Sequence, residues 1–285
     1  MFDSSVDSSA TELIISSVIP LMSGHSLPVL GLGVYQNDEC FDSCMTAFNA
    51  GYRLVDSARY YNNEAQVGKA VRESGVRREK LFVISKIYHP DFGYESALRA
   101  TDESYEKFGL DYIDLYLIHS PLSGKERRLE TWRALIEQRD RGKFKSIGVS
   151  NYNIRHIEEI REAGLELPVM NQLEIHPFCQ QRAIVKYCGE KNIIVQAYCP
   201  LVRGDYNHPT LKDLAIKYQK TIPQLLIRWS LQHGFSSLPK SSNANHIREN
   251  SQVFDFKINL DDMAMIDALD RGDQGACQWN PIHAE

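Results

Sequence analysis

Short apolar runs alternate along this chain with longer stretches whose apolar residues recur at helical spacing. Runs at Val29–Gly33, Arg53–Asp56, Leu81–Lys86, Ile113–His119, Ser146–Ser150, Val169–Leu173, Ile193–Tyr198 and Phe235–Pro239 read as buried strands. Between them fall helix candidates at Glu39–Ala50, Glu64–Ser74, Tyr94–Phe108, Glu126–Arg141, Ile154–Ala163, Arg182–Glu190 and Pro223–Gln232. Strands that alternate with helices in this way predict an α/β fold, a parallel (β/α)8 TIM barrel. The alternative, an open doubly wound sheet, announces a nucleotide with G-x-G-x-x-G after its first strand. Here Gly31-Leu32-Gly33 runs on into Val34-Tyr35-Gln36, so that fingerprint is absent.

Some pieces stand outside the eightfold pattern. Glu12–Ile19 and Leu27–Val29 are expected to form an N-terminal hairpin that closes the barrel floor. Leu211–Lys220 and Leu260–Arg271 read as additional helices, the second with Met263, Met265, Ile266 and Leu269 on its apolar face. Residues 1–10 read as a frayed tail and 272–285 as a C-terminal tail near the pocket. No linker, repeat or low-complexity segment divides the rest, so 1–285 is expected to be one domain.

Composition narrows the possible partners. A chain of 285 residues with 43% hydrophobic content suits a single large α/β unit. A net charge of -5 argues against nucleic acid or an anionic membrane as the main partner. No apolar run approaches the roughly 18 residues of a membrane span, and the serine-rich, acidic start lacks the basic region of a signal peptide. The six cysteines show no C-x-x-C pair, which suits a reduced, cytoplasmic protein. Cys40 and Cys44 lie one helical turn apart, but no nearby histidine completes a metal site, and none is expected.

Chemistry concentrates in Gly51–Gly68, which reads G-Y-R-L-V-D-S-A-R-Y-Y-N-N-E-A-Q-V-G. Asp56 ends a buried strand, where a carboxylate costs several kcal/mol unless a cation or donors meet it. Lys86 ends the next apolar run and His119 the one after, so successive strands deliver an acid, a lysine and a histidine to one rim. D-S-A-R-Y-Y-N-N-E, F-V-I-S-K and L-D-Y-I-D-L-Y-L-I-H-S-P, in this order and spacing, resemble the signatures of the aldo-keto reductases. The resemblance runs from about Leu30 to about Asn250, with the brief Ser120–Lys125 connection of short-loop, fungal-like members.

The resemblance implies a catalytic set of Asp56, Tyr61, Lys86 and His119. Tyr61 would protonate a carbonyl oxygen, with Tyr60 a bystander. Lys86 would lower the phenol pKa, Asp56 would keep Lys86 charged, and His119 would orient the carbonyl. The remaining strand ends read as a cofactor track. Ser150, Asn151 and Gln172 can hydrogen-bond a carboxamide, Tyr198 offers a ring beneath a nicotinamide, and Val34, Pro200 and Leu201 flank it. Lys240 and Ser241, at the start of a helix, suit a phosphate, and Glu249 and Asn250 match adenine contacts of the family. His246 stands where the family usually has an arginine, so NADPH is expected to be preferred over NADH by a reduced margin, with NADH still possible. Tyr35, Tyr88, His119, Ser120 and Trp279 are expected at the substrate. The partner implied is a small-molecule aldehyde or ketone, and the chain is expected to act as a monomer.

Three rival readings fit some of these residues. A Schiff-base aldolase would need Lys86 neutral, which a facing Asp56 opposes. A metal-dependent hydrolase could use His119, Glu174 and His176, but the first strand supplies no histidine. A nicotinamide-binding regulatory subunit of the same fold would keep these residues with little turnover.

Overall fold

The computed structural model describes residues 12–277 and 280–285. The expected N-terminal tail and Trp279 therefore lie outside the described residues. A short antiparallel pair, β1 (Val18–Pro20) and β2 (Ser26–Pro28), precedes the main sheet. The sheet then runs β3 (Leu32–Gly33), β4 (Leu54–Asp56), β5 (Phe82–Ile87), β6 (Ile113–Ile118), β7 (Phe144–Ser150), β8 (Met170–Glu174), β9 (Ile194–Tyr198) and β10 (Ser236–Leu238), every neighbour parallel and in sequence order. Parallel bridges Leu30–Ser237 and Gly33–Lys240 join the last strand to the first. Gly31 N–H donates to the Ser237 carbonyl at 3.0 Å and Gly33 N–H to the Pro239 carbonyl at 3.0 Å. The predicted (β/α)8 barrel is the fold.

Strands and helices are built by the patterns that predicted them. β5 is buried at every position, and β6 at all but Asp114. Helices α1 (Cys40–Asn49), α2 (Glu64–Glu73), α3 (Tyr94–Phe108), α4 (Gly124–Asp140), α5 (Ile154–Glu162) and α6 (Arg182–Glu190) follow successive strands. The extra helices are α7 (Pro209–Tyr218) and α10 (Leu260–Asp267), with α8 (Ile222–Gln232) and α9 (Ala244–Ser251) between them. Reciprocal caps start α5 at Asn153 and α8 at Thr221. Gly109, in the left-handed region at φ 56, stops α3.

Several boundaries differ from expectation, two of them early in the chain. The first arm of the hairpin begins only at Val18, because residues 14–17 make a turn. Ser17 N–H donates to the Ile14 carbonyl at 2.9 Å, and Ser17 Oγ accepts from Ile14 N–H at 2.9 Å. The first barrel strand shortens to Leu32–Gly33, since Gly31 packs so closely on Leu54 and Leu238 that a side chain there would collide with both.

Candidate active site

Register places the acid, lysine and histidine at the carboxyl ends of neighbouring strands. Asp56 closes β4, Lys86 lies two positions beyond the partner of Asp56 on β5, and His119 follows β6 with its N–H on the Ile87 carbonyl at 3.1 Å. Lys86 is fully buried, and its Nζ donates to Asp56 Oδ1 at 2.5 Å and to the Ser57 carbonyl at 2.9 Å. The other carboxylate oxygen accepts from Gln172 Nε2 at 2.8 Å. The same Gln172 nitrogen donates to Gln196 Oε1 at 2.7 Å, Gln196 Nε2 to Ser236 Oγ at 3.1 Å, and Ser236 Oγ to the Pro28 carbonyl at 2.9 Å. A polar thread thus crosses the barrel interior from the rim to β2. Burial pushes the Asp56 carboxyl up and the Lys86 ammonium down, and each opposes the shift in the other.

Tyr61 is set by the loop that leaves β4. A single 3-10 turn, Arg59–Tyr61, ends at Asn62, whose φ of 56 reverses the chain into α2. Asn63 locks this loop: its Oδ1 accepts from Ser57 Oγ at 2.6 Å and its Nδ2 donates to the Val34 carbonyl at 2.8 Å. Arg59 ties the outer side, with Nε on Asp91 at 2.8 Å and Nη2 on Glu103 at 2.6 Å. The Tyr61 ring centroid lies 5.0 Å from Lys86 Nζ and 5.7 Å from the His119 ring.

One electrostatic expectation is corrected by this geometry. Lys86 was expected to pull the phenol down, yet burial, then Asp56, Cys199 and Tyr35, hold it well above its ordinary value. The ammonium charge is spent on Asp56 at contact distance, so the phenol meets a neutralised pair in a poorly solvated site. His119 is held neutral: burial first, then Lys86 and His89, push its pKa well below the usual range. Its Nδ1 is buried without a hydrogen-bond partner among the described residues.

These groups face a cavity of about 390 Å³ lined by Tyr35, Asp56, Tyr61, Tyr88, His119, Ser120, Ser150, Asn151, Gln172, Tyr198 and Cys199. Tyr60 lines it as well, its ring 4.5 Å from Tyr88, so it is part of the wall rather than a bystander. The amide and hydroxyl set is internally linked. Ser150 Oγ donates to the Gln172 carbonyl at 2.9 Å, Asn151 Nδ2 to the His119 carbonyl at 3.1 Å, and Tyr198 OH to Asn151 Oδ1 at 2.9 Å. Val34 is buried behind this wall, its N–H on the Asp56 carbonyl at 3.1 Å.

A second groove, about 520 Å³, shares Tyr35, Cys199 and Lys240 with the first, making one cleft. Pro200, Leu201, Ser241, His246, Glu249 and Asn250 line it as expected. So do Arg203 and Tyr206, which the sequence reading missed, although Arg203 follows directly on the A-Y-C-P-L-V run. The start of α9 is also less open than expected, because Asn243 Oδ1 already accepts from Asn245 N–H at 2.9 Å and His246 N–H at 3.1 Å. Arg248 turns to Asn245 Oδ1 at 3.2 Å and does not line the groove. Glu174 and His176 do not join His119; they pair with each other at 3.0 Å.

A model of the Aldo/keto reductase family matches residues 29–271. The chain is an aldo-keto reductase. It is 40% identical to glyoxal reductase of Bacillus subtilis, over 91% of this chain and 95% of that protein. It is 38% identical to methylglyoxal reductase DkgA of Escherichia coli, over 90% and 94% of the two chains. Among solved structures, the Bombyx mori aldo-keto reductase in complex with NADP superposes with a TM-score of 0.85 at 33% identity, covering 93% of this chain and 96% of that one. The reductase is thus an oxidoreductase built on the barrel that its strand pattern predicted. Among its described residues, no helix is long and apolar enough to cross a membrane.

Proposed function

We propose that this reductase uses NADPH to reduce a small aldehyde or ketone to the alcohol, with Tyr61 as the proton donor. The observation that carries this reading is the placement of Tyr61 and His119 on one cavity, beside the buried Asp56–Lys86 pair, continuous through Tyr35, Cys199 and Lys240 with a second groove of about 520 Å³. Tyr198 presents a half-buried ring between cavity and groove, Ser150, Asn151 and Gln172 offer carboxamide partners, and Lys240, Ser241 and His246 stand at the far end. This donor set fits a nicotinamide dinucleotide. Bound there, the reduced cofactor supplies hydride to the carbonyl carbon.

The chain's own part is the proton and the pose. A phenol held well above its ordinary pKa is fully protonated near neutral pH, which suits a donor. His119, neutral, gives a hydrogen bond to the carbonyl oxygen without adding a charge. Lys86, held by Asp56, presents its ammonium 5.0 Å from the Tyr61 ring and keeps the phenol in place as its proton leaves. Tyr60, Tyr88 and Tyr35 make the entrance broad and polar-edged. Dicarbonyls such as those named for the relatives fit that entrance.

The test is NADPH oxidation against a panel of glyoxal, methylglyoxal and simple aldehydes and ketones. Multiple turnovers with at least one carbonyl compound are expected. Binding of NADPH with no more than a single turnover on every compound would overturn the reading.

A further inference from the structure

The C-terminal segment meets the barrel at a cluster of soft and hard ligand atoms. Glu174 ends β8, and the turn after it carries His176; both side chains are buried. Glu174 Oε1 accepts from His176 Nε2 at 3.0 Å and from the Cys277 backbone N–H at 2.5 Å. Ligand atoms of Glu174, His176 and Cys277 all lie within 4.8 Å of one another. The His176 ring keeps a second nitrogen, Nδ1, buried and unpartnered among the described residues.

A structural tether would need only the carboxylate and the Cys277 N–H. The thiol and the imidazole add something else, donor types that zinc prefers. With bond lengths of about 2.0–2.3 Å, a tetrahedral zinc site has edges of roughly 3.3–3.8 Å. The Glu174–His176 contact is already at 3.0 Å, and the remaining atoms need to close by about 1 Å at most. The ligands come from two widely separated parts of the chain, so no C-x-x-C spacing announces them.

We infer that Cys277, His176 and Glu174 form a binding site for a soft divalent cation, zinc foremost, which clips the C-terminal segment onto the barrel rim. This inference does not depend on the proposed reaction, and its readouts are of metal rather than of turnover.

The experiment uses the full chain, reduced with a phosphine, stripped with a chelator and desalted. Zinc is titrated against a metallochromic indicator, and cobalt(II) is followed by absorption. One equivalent of zinc is expected, with a thiolate-to-cobalt charge-transfer band and the intense visible bands of a four-coordinate ion. Cys277→Ser should weaken zinc by at least about 100-fold, since loss of a direct ligand exceeds the 10–100-fold of an outer partner. His176→Gln should weaken it by a similar factor and shift the visible cobalt bands. Circular dichroism confirms that both variants fold. Sub-stoichiometric binding, a pale six-coordinate cobalt spectrum, or wild-type affinity in either variant would overturn the assignment.

Discussion

The two ends of the cleft are built on opposite principles. At the inner end, Asp56 and Lys86 are buried, in direct contact, and further held by Ser57 and Gln172. At the outer end, Lys240 and His246 are exposed, Arg203 is exposed, and the helix start beside them is capped by the protein's own Asn243. Where geometry must hold to a fraction of an ångström, the chain supplies every contact itself. Where a dinucleotide would bring its own charges, cations wait in solvent and lose little on being met. The inner end is therefore expected to be intolerant of change, and the outer end tunable.

The largest expected effect is on the proton. Tyr61→Phe removes the hydroxyl alone and should lower kcat/KM for carbonyl reduction by about 10²–10⁴-fold, with NADPH affinity unchanged. Tyr60→Phe, on the same wall, should stay within a few-fold. Steady-state kinetics and fluorescence quenching by NADPH separate the two, and near-normal turnover in Tyr61→Phe would remove the proton donor from the scheme.

Breaking the buried pair should cost stability as well as rate. Lys86→Met leaves the Asp56 carboxylate buried beside Gln172 only, a loss of about 3–5 kcal/mol. Adding Asp56→Asn should recover part of it, because the orphaned charge is gone. Urea denaturation of the single and double variants gives the answer; equal stability of wild type and Lys86→Met would mean that the pair is not ionised.

A third prediction concerns pH. His119 has a folded pKa well below its unfolded value of about 6.5. Below that value the unfolded chain takes up a proton that the folded chain refuses, so this residue favours unfolding as pH falls, by about 1.4 kcal/mol per unit. Above about pH 6.5 both states are neutral and the term vanishes. The destabilisation caused by His119→Gln should thus shrink as the pH falls from 7 to 5.5. A difference that stays constant across that range would show an ordinary, titrating histidine.

The smallest effect belongs to the open end. His246→Arg places a permanent charge and a fork of donors on the groove and should tighten NADPH by about 1 kcal/mol, leaving NADH unmoved. Dissociation constants for both cofactors decide it; equal tightening of both would place His246 away from the 2′-phosphate.

Local pattern carried the sequence reading a long way. The strand runs, the order of acid, tyrosine, lysine and histidine, and most of the groove lining could be read because each depends on period or on a short motif. Other features depend on contacts between distant segments. Asn63 sits inside the quoted motif, yet its role appears only once Val34 and Ser57 are brought beside it. The partnership of Glu174 with Cys277 spans about a third of the chain. The phenol pKa was misjudged for a related reason: the sign of a neighbour's charge was legible, but its neutralisation by a third group was a matter of distance.

The polar thread from Asp56 to Pro28 has a direction written into it. Both of its ends can only accept: a carboxylate at the rim and a proline carbonyl at the floor. Ser236 must give its proton downward, so Gln196 must turn its nitrogen to Ser236 and its oxygen to Gln172, and Gln172 must face Asp56 with its nitrogen. Neither amide can be reversed alone. A proton placed on Asp56 would turn an acceptor into a donor and set the row against itself, up to the hairpin strand on the far side of the barrel. The charge state of one carboxylate is thus registered in the orientation of amides that run from the cleft wall to the barrel floor.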